Sequence, residues 1–143
     1  MWVTECYYQL CDRSLDFPPA PKLTVLGKLD PKKATEAELG GQDLFFGKAQ
    51  CTTCHMPPYY TDNLMYNLRT ERFYEPQMIN GRQAAGDGPI KTFPLRGITD
   101  SPTYLQDGRL LRLDDTVEFF TLILEFNLNE QEKKDLVAFL YQL

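Results

Sequence analysis

The chain has 143 residues, 43% hydrophobic, 13% aromatic and 24% charged, the make-up of one domain, or of one domain with an extra arm. Its net charge of −5 argues against nucleic acid and anionic membrane surfaces as partners. No apolar run approaches the ~18 residues of a membrane helix, and the start, Met1-Trp2-Val3-Thr4-Glu5-Cys6, lacks the basic and apolar regions of an export signal.

Residues 1–16 carry aromatics (Trp2, Tyr7, Tyr8) without a clean period and read as the remnant of a preceding helix or domain. Phe17-Pro18-Pro19-Ala20-Pro21 favours extended, polyproline-like chain, and Leu23 to Lys33 continues as an irregular arm. The expected division is an arm over 1–34 and a domain over 35–143. Thr35 to about Lys48 reads as the first solid helix, because Thr35 with Glu38 makes a capping box ahead of Leu39, Leu44, Phe45 and Phe46. Gly40-Gly41 weakens its interior by about 1 kcal/mol per glycine but permits close approach of another helix.

Next comes Cys51-Thr52-Thr53-Cys54-His55, the pattern of covalent c-type haem attachment. Two thiols three residues apart add across the two vinyl groups of one porphyrin, and the adjoining imidazole binds the iron axially. His55 is the sole histidine, and composition alone places this string roughly once in a thousand such chains. A thioredoxin-like dithiol would want a βαβ setting with a helix opening at the first cysteine; here a helix precedes the motif and Pro57-Pro58 follow it. A structural zinc site would need Cys6, Cys11, Cys51 and Cys54 together and leave His55 idle. Cys6 and Cys11 stand open between a disulfide and free thiols. One covalent haem c is the expected cofactor. Such attachment takes place on the periplasmic side of the bacterial membrane, so the expectation is a periplasmic protein and a chain that lacks its true start or is the tail of a longer one.

From Met56 to Arg112 the chain reads as loop-rich, as where polypeptide wraps a cofactor. Pro57 to Asn63 is a turn, Leu64 to Leu68 a short strand or single helical turn, and 81–89 a flexible or sharply turned stretch with Gly81, Gly86, Gly88 and Pro89. Asp107-Gly108-Arg109 is a turn. Two helices close the sequence. Asp114 or Asp115 starts the first, with Val117, Phe120, Ile123 and Leu124 on one face. Asn129 caps the second with Glu132 at the capping-box position, and Leu136, Val137, Leu140 and Leu143 form its stripe. The expected fold is all-α: a cytochrome c-like domain, loop-rich, wrapped around one covalent haem c.

A sole histidine excludes bis-histidine ligation within the chain. Met56 is confined to the proximal side by its neighbour His55, which leaves Met78, in a Pro- and Gly-flanked loop, ahead of Met65 as sixth ligand. An open or water-bound position, or a tyrosine oxygen from Tyr59, Tyr60 or Tyr104, are the alternatives. No nucleophile–base constellation and no phosphate loop is present.

In order, the chain shows Gly41-x-x-Leu44-Phe45, Cys51-x-x-Cys54-His55, Tyr60-Thr61-Asp62-Asn63, Leu95-Arg96-Gly97, Tyr104-Leu105-Gln106-Asp107-Gly108, Leu113-Asp114-Asp115-Thr116-Val117 and Leu136-Val137-Ala138-Phe139-Leu140. Over roughly residues 35–143 this combination resembles the C-terminal haem domain of bacterial di-haem cytochrome c peroxidases and their MauG-like relatives. The resemblance implies electron transfer: a haem reduced by a small electron-transfer protein and relaying electrons to a peroxidatic haem in a second domain, for which residues 1–34 are too short. It places Arg96 in a family-like segment as a candidate contact to a haem propionate through its fork of donors. Departures are specific. The family's second axial ligand, a methionine or a tyrosine, falls on Phe120; a usual histidine is Gln106; and the proline before the Leu-Arg segment is displaced to Phe93-Pro94, which puts the family's interdomain calcium site in doubt. The missing ligand at Phe120 supports a rival reading, an open iron that itself reacts with peroxide, with Glu71, Glu75 and Gln106 as distal acid/base candidates.

Overall fold

A computed structural model of the chain describes residues 17–70, 78–83, 89–105 and 108–143. The expected remnant over 1–16 with Cys6 and Cys11, the glycines Gly86 and Gly88, and Glu71, Glu75, Gln106 and Asp107 lie outside the described residues.

Among the described residues three α-helices carry the fold: α1 (Glu36–Phe46), α2 (Leu113–Ile123) and α3 (Glu130–Leu140). Their starts follow from caps. At α1 the Thr35 hydroxyl accepts from the Glu38 N–H at 3.3 Å while the Thr35 N–H donates to Glu38 Oε2 at 2.8 Å. At α3 Asn129 Oδ1 accepts from the N–H groups of Gln131 and Glu132, both at 2.9 Å, and Glu132 Oε2 accepts from the Asn129 N–H at 2.7 Å. Each cap contributes about 1 kcal/mol. Helix α2 begins at Leu113, one or two residues before the acidic start read from sequence. The reason is that Asp115 reaches back to accept from the Arg112 N–H at 3.1 Å, so the acid sits inside the first turn rather than ahead of it.

The all-α expectation needs correction in the long connection. β1 (Met65–Tyr66) pairs antiparallel with β4 (Ile90–Lys91), Met65 opposite Lys91 and Tyr66 opposite Ile90. β2 (Met78–Ile79) pairs with β3 (Arg82–Gln83). Between them Asn80 and Gly81 both hold positive φ, 51° and 74°, the two-residue turn whose twist suits a hairpin. A stretch that wraps no helix must pair its backbone groups some other way, and these short ladders do so.

Helices α1 and α3 cross at Gly41. A Cβ there would lie 1.9 Å from the Asp135 carbonyl oxygen and 2.8 Å from Phe139 Cβ, so glycine is what allows the contact. Around the crossing Phe45, Tyr60 and Phe139 meet edge-on, with ring centroids 5.2 to 6.1 Å apart. Leu113 and Val117 of α2 and Leu136, Val137 and Leu140 of α3 complete the core with Leu29, Ala49, Leu128 and Leu143.

Residues 17–34 lie on this core. Leu23 and Leu29 form an antiparallel bridge around a turn that Gly27 closes at φ 79° against Pro57 and Pro58, each 3.0 Å from where a Cβ would stand. Leu29 is 3% exposed and its N–H donates to Gln42 Oε1 at 2.6 Å. Lys22 pairs with Glu38 at 2.6 Å. Among the described residues no helix is long and apolar enough to cross a membrane.

Candidate haem site

Helix α1 delivers the motif. Its last turn closes through Gly47 N–H to Asp43 O and Ala49 N–H to Leu44 O, both 2.9 Å. Gln50 then turns left-handed at φ 49° and the chain enters a 3₁₀ turn, Cys51–Thr53. Cys54 and His55 donate their N–H groups back to the Cys51 carbonyl at 3.3 and 2.9 Å, so two thiols and an imidazole ride on one tight turn. Both cysteines are free thiols. Burial pushes the Cys51 thiol up to about 12 and also raises Cys54. A reactive dithiol is activated by the opposite shift.

The His55 ring is held from behind. Its Nδ1 lies 2.8 Å from the Tyr60 carbonyl oxygen, which only accepts, so Nδ1 carries the proton and Nε2 keeps its lone pair. Burial pulls the imidazole below its ordinary range against the opposing effects of the Tyr60 carbonyl, Asp62 and the Phe93 backbone. This is the state an axial ligand needs: neutral, tautomer fixed, one nitrogen available. Tyr60 itself is 0% exposed at φ 60°, clasped between Phe45 and Phe139 with its hydroxyl donating to the Gly27 carbonyl.

Beyond Tyr60 a compact loop joins the motif to β1 and β4. Thr61 Oγ1 donates to the Thr92 carbonyl at 2.5 Å and accepts from the Asn63 N–H at 3.0 Å. Asp62 Oδ1 accepts from the Leu64 N–H at 2.9 Å, and Oδ2 from the Tyr66 hydroxyl at 2.5 Å. The same phenol interacts with the Cys54 thiol. On the segments next to this loop, Met56, Leu64, Met65 and Phe93 expose half or more of their surface. Among the described residues that apolar area stays largely open, with Lys91 Nζ 5.6 Å over the Phe93 ring, and apolar surface of this kind suits an apolar plate such as a porphyrin. The two free thiols, the oriented imidazole and the open apolar surface therefore fit haem c.

The remaining sequence candidates fall as follows. Met78 lies on β2 and is 64% exposed; Met65, on β1, is 57% exposed. The Tyr59 ring stacks on Phe17 at 5.6 Å, and the Tyr104 hydroxyl donates to the Ile98 carbonyl at 3.3 Å. Arg96 donates through Nε to the Leu143 carbonyl and through Nη2 to the Pro18 carbonyl, both at 2.9 Å, with its guanidinium 5.7 Å from the Phe17 ring centroid. The Phe120 ring stands edge-on to Phe119 and offers no donor atom. Among the described residues no three His, Cys, Asp or Glu side chains gather as a metal cluster. Sequence reasoning missed the Tyr60 carbonyl and the Asp62–Tyr66 bond. The first leaves no side-chain signal; the second was legible only as an Asp and a Tyr four residues apart beside a turn.

No protein-family model matches the chain. Among curated proteins it is 30% identical to the cytochrome-c peroxidase IdrP1 of Denitromonas iodatirespirans, over 78% of this chain and 42% of that protein. It is also 30% identical to the methylamine utilization protein MauG of Methylorubrum extorquens, over 72% of this chain and 33% of that one. The chain thus spans less than half the length of these relatives. Among solved structures, Kuenenia stuttgartiensis hydrazine synthase superposes with a TM-score of 0.62 at 25% identity, over 92% of this chain and 52% of that one. A MauG-like protein associated with microbial copper homeostasis gives 0.57 at 25% identity, over 78% and 44%. By sequence and by fold the chain belongs with the cytochrome c peroxidases and MauG-like proteins, matching a part of their length.

Proposed function

We propose that this chain is a cytochrome c-like electron-transfer domain of a periplasmic di-haem peroxidase-like protein, with residues 35–143 bearing one covalent haem c and residues 17–34 strapped across them. Cys51 and Cys54 hold the cofactor by thioether bonds and His55 Nε2 binds the iron. When bound, the haem supplies a one-electron couple. The chain's own residues set its surroundings. The Tyr60 carbonyl fixes the imidazole tautomer and raises its basicity, and the aromatic core behind it excludes water. Met78 is the candidate sixth ligand. Electrons enter from a small donor protein and pass to a peroxidatic haem in a second domain. The single observation that carries this reading is the 2.8 Å bond from His55 Nδ1 to Tyr60, made on the same turn as two protonated thiols.

The test is production with haem c maturation machinery, followed by optical spectra of oxidised and reduced protein with and without peroxide. A covalently red protein whose colour is lost in Cys51→Ala/Cys54→Ala supports haem attachment; a colourless one refutes it. A low-spin spectrum with a methionine-to-iron band that disappears in Met78→Ala, unchanged by peroxide, is the expected result. A second reading, an open iron that itself reacts with peroxide, rests on Phe120, whose ring has no atom to give. A high-spin spectrum that shifts on adding peroxide would replace the carrier reading with that one.

A further inference from the structure

Among the tyrosines, Tyr60 and Tyr104 donate their hydroxyls to main-chain carbonyls, which are poor proton acceptors. Tyr66 differs. It donates to Asp62 Oδ2 at 2.5 Å, a charge-assisted bond at the short end of the range. The carboxylate is fixed in that position, because its other oxygen accepts from the Leu64 N–H at 2.9 Å. Burial raises the Asp62 carboxyl, but the bonds from Tyr66, Leu64 and Thr92 outweigh it and keep the group ionised below its ordinary value. Its strand is fixed by the pairing of Tyr66 with Ile90. A half-buried phenol is thus set against a ready base.

We propose that Tyr66 and Asp62 form a proton-coupled redox relay at the edge of the site. Tyr66 loses one electron to a one-electron oxidant, and its phenolic proton passes along the 2.5 Å bond to Asp62, leaving a neutral phenoxyl radical and a protonated carboxyl. A phenol stripped of an electron is strongly acidic, so the transfer to carboxylate runs downhill at that moment although it is uphill at rest. Return of one electron from an external donor and of the proton from Asp62 restores both groups. In a peroxidase-like protein the oxidising equivalents come from peroxide, which takes two electrons and two protons to give two waters; two relay events pass the two electrons from the external donor, and the two protons come from solvent, because each event returns its own proton from Asp62 to Tyr66. The relay rests on the haem reading above, because a redox centre at Cys51–His55 is what gives the tyrosine something to serve.

The experiment uses haem-loaded protein and a flash-generated ruthenium(III) polypyridine as the one-electron oxidant, with phenoxyl radical followed by transient absorption and electron paramagnetic resonance. Tyr66→Phe is expected to lose most of the radical signal, whereas Tyr104→Phe keeps it. Asp62→Asn, which retains an oxygen for the Leu64 N–H, is expected to slow radical formation by about 10²-fold, the share of a general base, and Asp62→Glu to restore much of it. A pair that merely ties the loop together would move none of these readouts. Wild-type radical yield in Tyr66→Phe, or an unchanged rate in Asp62→Asn with native circular dichroism, would overturn the relay. Haem content measured alongside separates the claims: absence of covalent haem sinks the haem reading, and haem-loaded protein indifferent to both variants sinks only the relay.

Discussion

Replacing Gly41 by alanine tests the helix crossing that supports the site. On intrinsic propensity the change should help, since alanine gains about 1 kcal/mol over glycine inside a helix. The crossing reverses the sign. The new Cβ would sit 1.9 Å from the Asp135 carbonyl oxygen, 2.5 Å from its carbon and 2.8 Å from Phe139 Cβ, and the first two belong to a helix backbone that cannot rotate aside. Restoring an ordinary contact requires α1 and α3 to part by roughly 1.5 Å, and a gap of about 1 Å already forfeits up to half of each dispersion contact. The Phe45–Phe139 pair, now 5.2 Å between centroids, and the Lys48–Glu132 bridge at 2.8 Å both span that seam. Overpacking of this kind costs about 1–3 kcal/mol beyond the propensity gain. Gly40 is the internal control: a Cβ there meets only Asp135 Oδ2, at 3.6 Å, so Gly40→Ala should stabilise by about 0.5–1 kcal/mol. Urea denaturation of the haem-loaded protein, followed by far-UV circular dichroism, reads both. A Gly41→Ala protein as stable as the wild type, or as improved as Gly40→Ala, would refute the argument.

Tyr60→Phe removes the hydroxyl that serves the buried Gly27 carbonyl and should cost about 1–3 kcal/mol in the same denaturation assay, while leaving the backbone bond to His55 and hence the iron spectrum intact. Glu38→Gln addresses acid stability. Burial raises the Glu38 carboxyl, but Lys22 and the Thr35 N–H more than offset this and hold it below 4.5. The folded state therefore binds this proton less readily than the unfolded one. Its stabilisation is full above the unfolded value and is lost as the pH falls through the lower, folded value. Titrated denaturation should show the wild-type advantage over Glu38→Gln shrinking below about pH 4.5; a constant gap from pH 7 to pH 3 would exclude the linkage.

Helix starts at Thr35 and Asn129 were readable because a capping box is a local pattern with a local cause: one side-chain oxygen, one N–H, three residues apart. Gly40-Gly41 signalled a close approach, though only the structure shows that Gly41 makes it and Gly40 does not. Asn80-Gly81 was a hairpin signal that composition hid, since the neighbouring glycines suggested a loose loop instead. The Cys51–His55 turn was legible as a motif, because covalent haem attachment would demand those residue types at that spacing. What set the imidazole was not, since every residue carries a carbonyl and nothing in the sequence says that Tyr60 will present its own. Arg96 shows the same limit. Its family-like segment suggested a haem propionate as partner; what the sequence did not show is that the fold commits two of its donors to the carbonyls of Pro18 and Leu143.

The Tyr60 backbone has a further consequence. One residue receives the His55 proton on its carbonyl, accepts the Leu95 N–H on the same oxygen at 3.3 Å, and reaches across the core to grip Gly27 with its hydroxyl. The arm, the core and the His55 imidazole therefore share one lever. Substitutions in residues 22–29 that shift the Gly27 turn against Pro57 and Pro58 are expected to tilt the imidazole without touching it, so a haem iron held by His55 would be open to tuning from a segment some distance along the sequence.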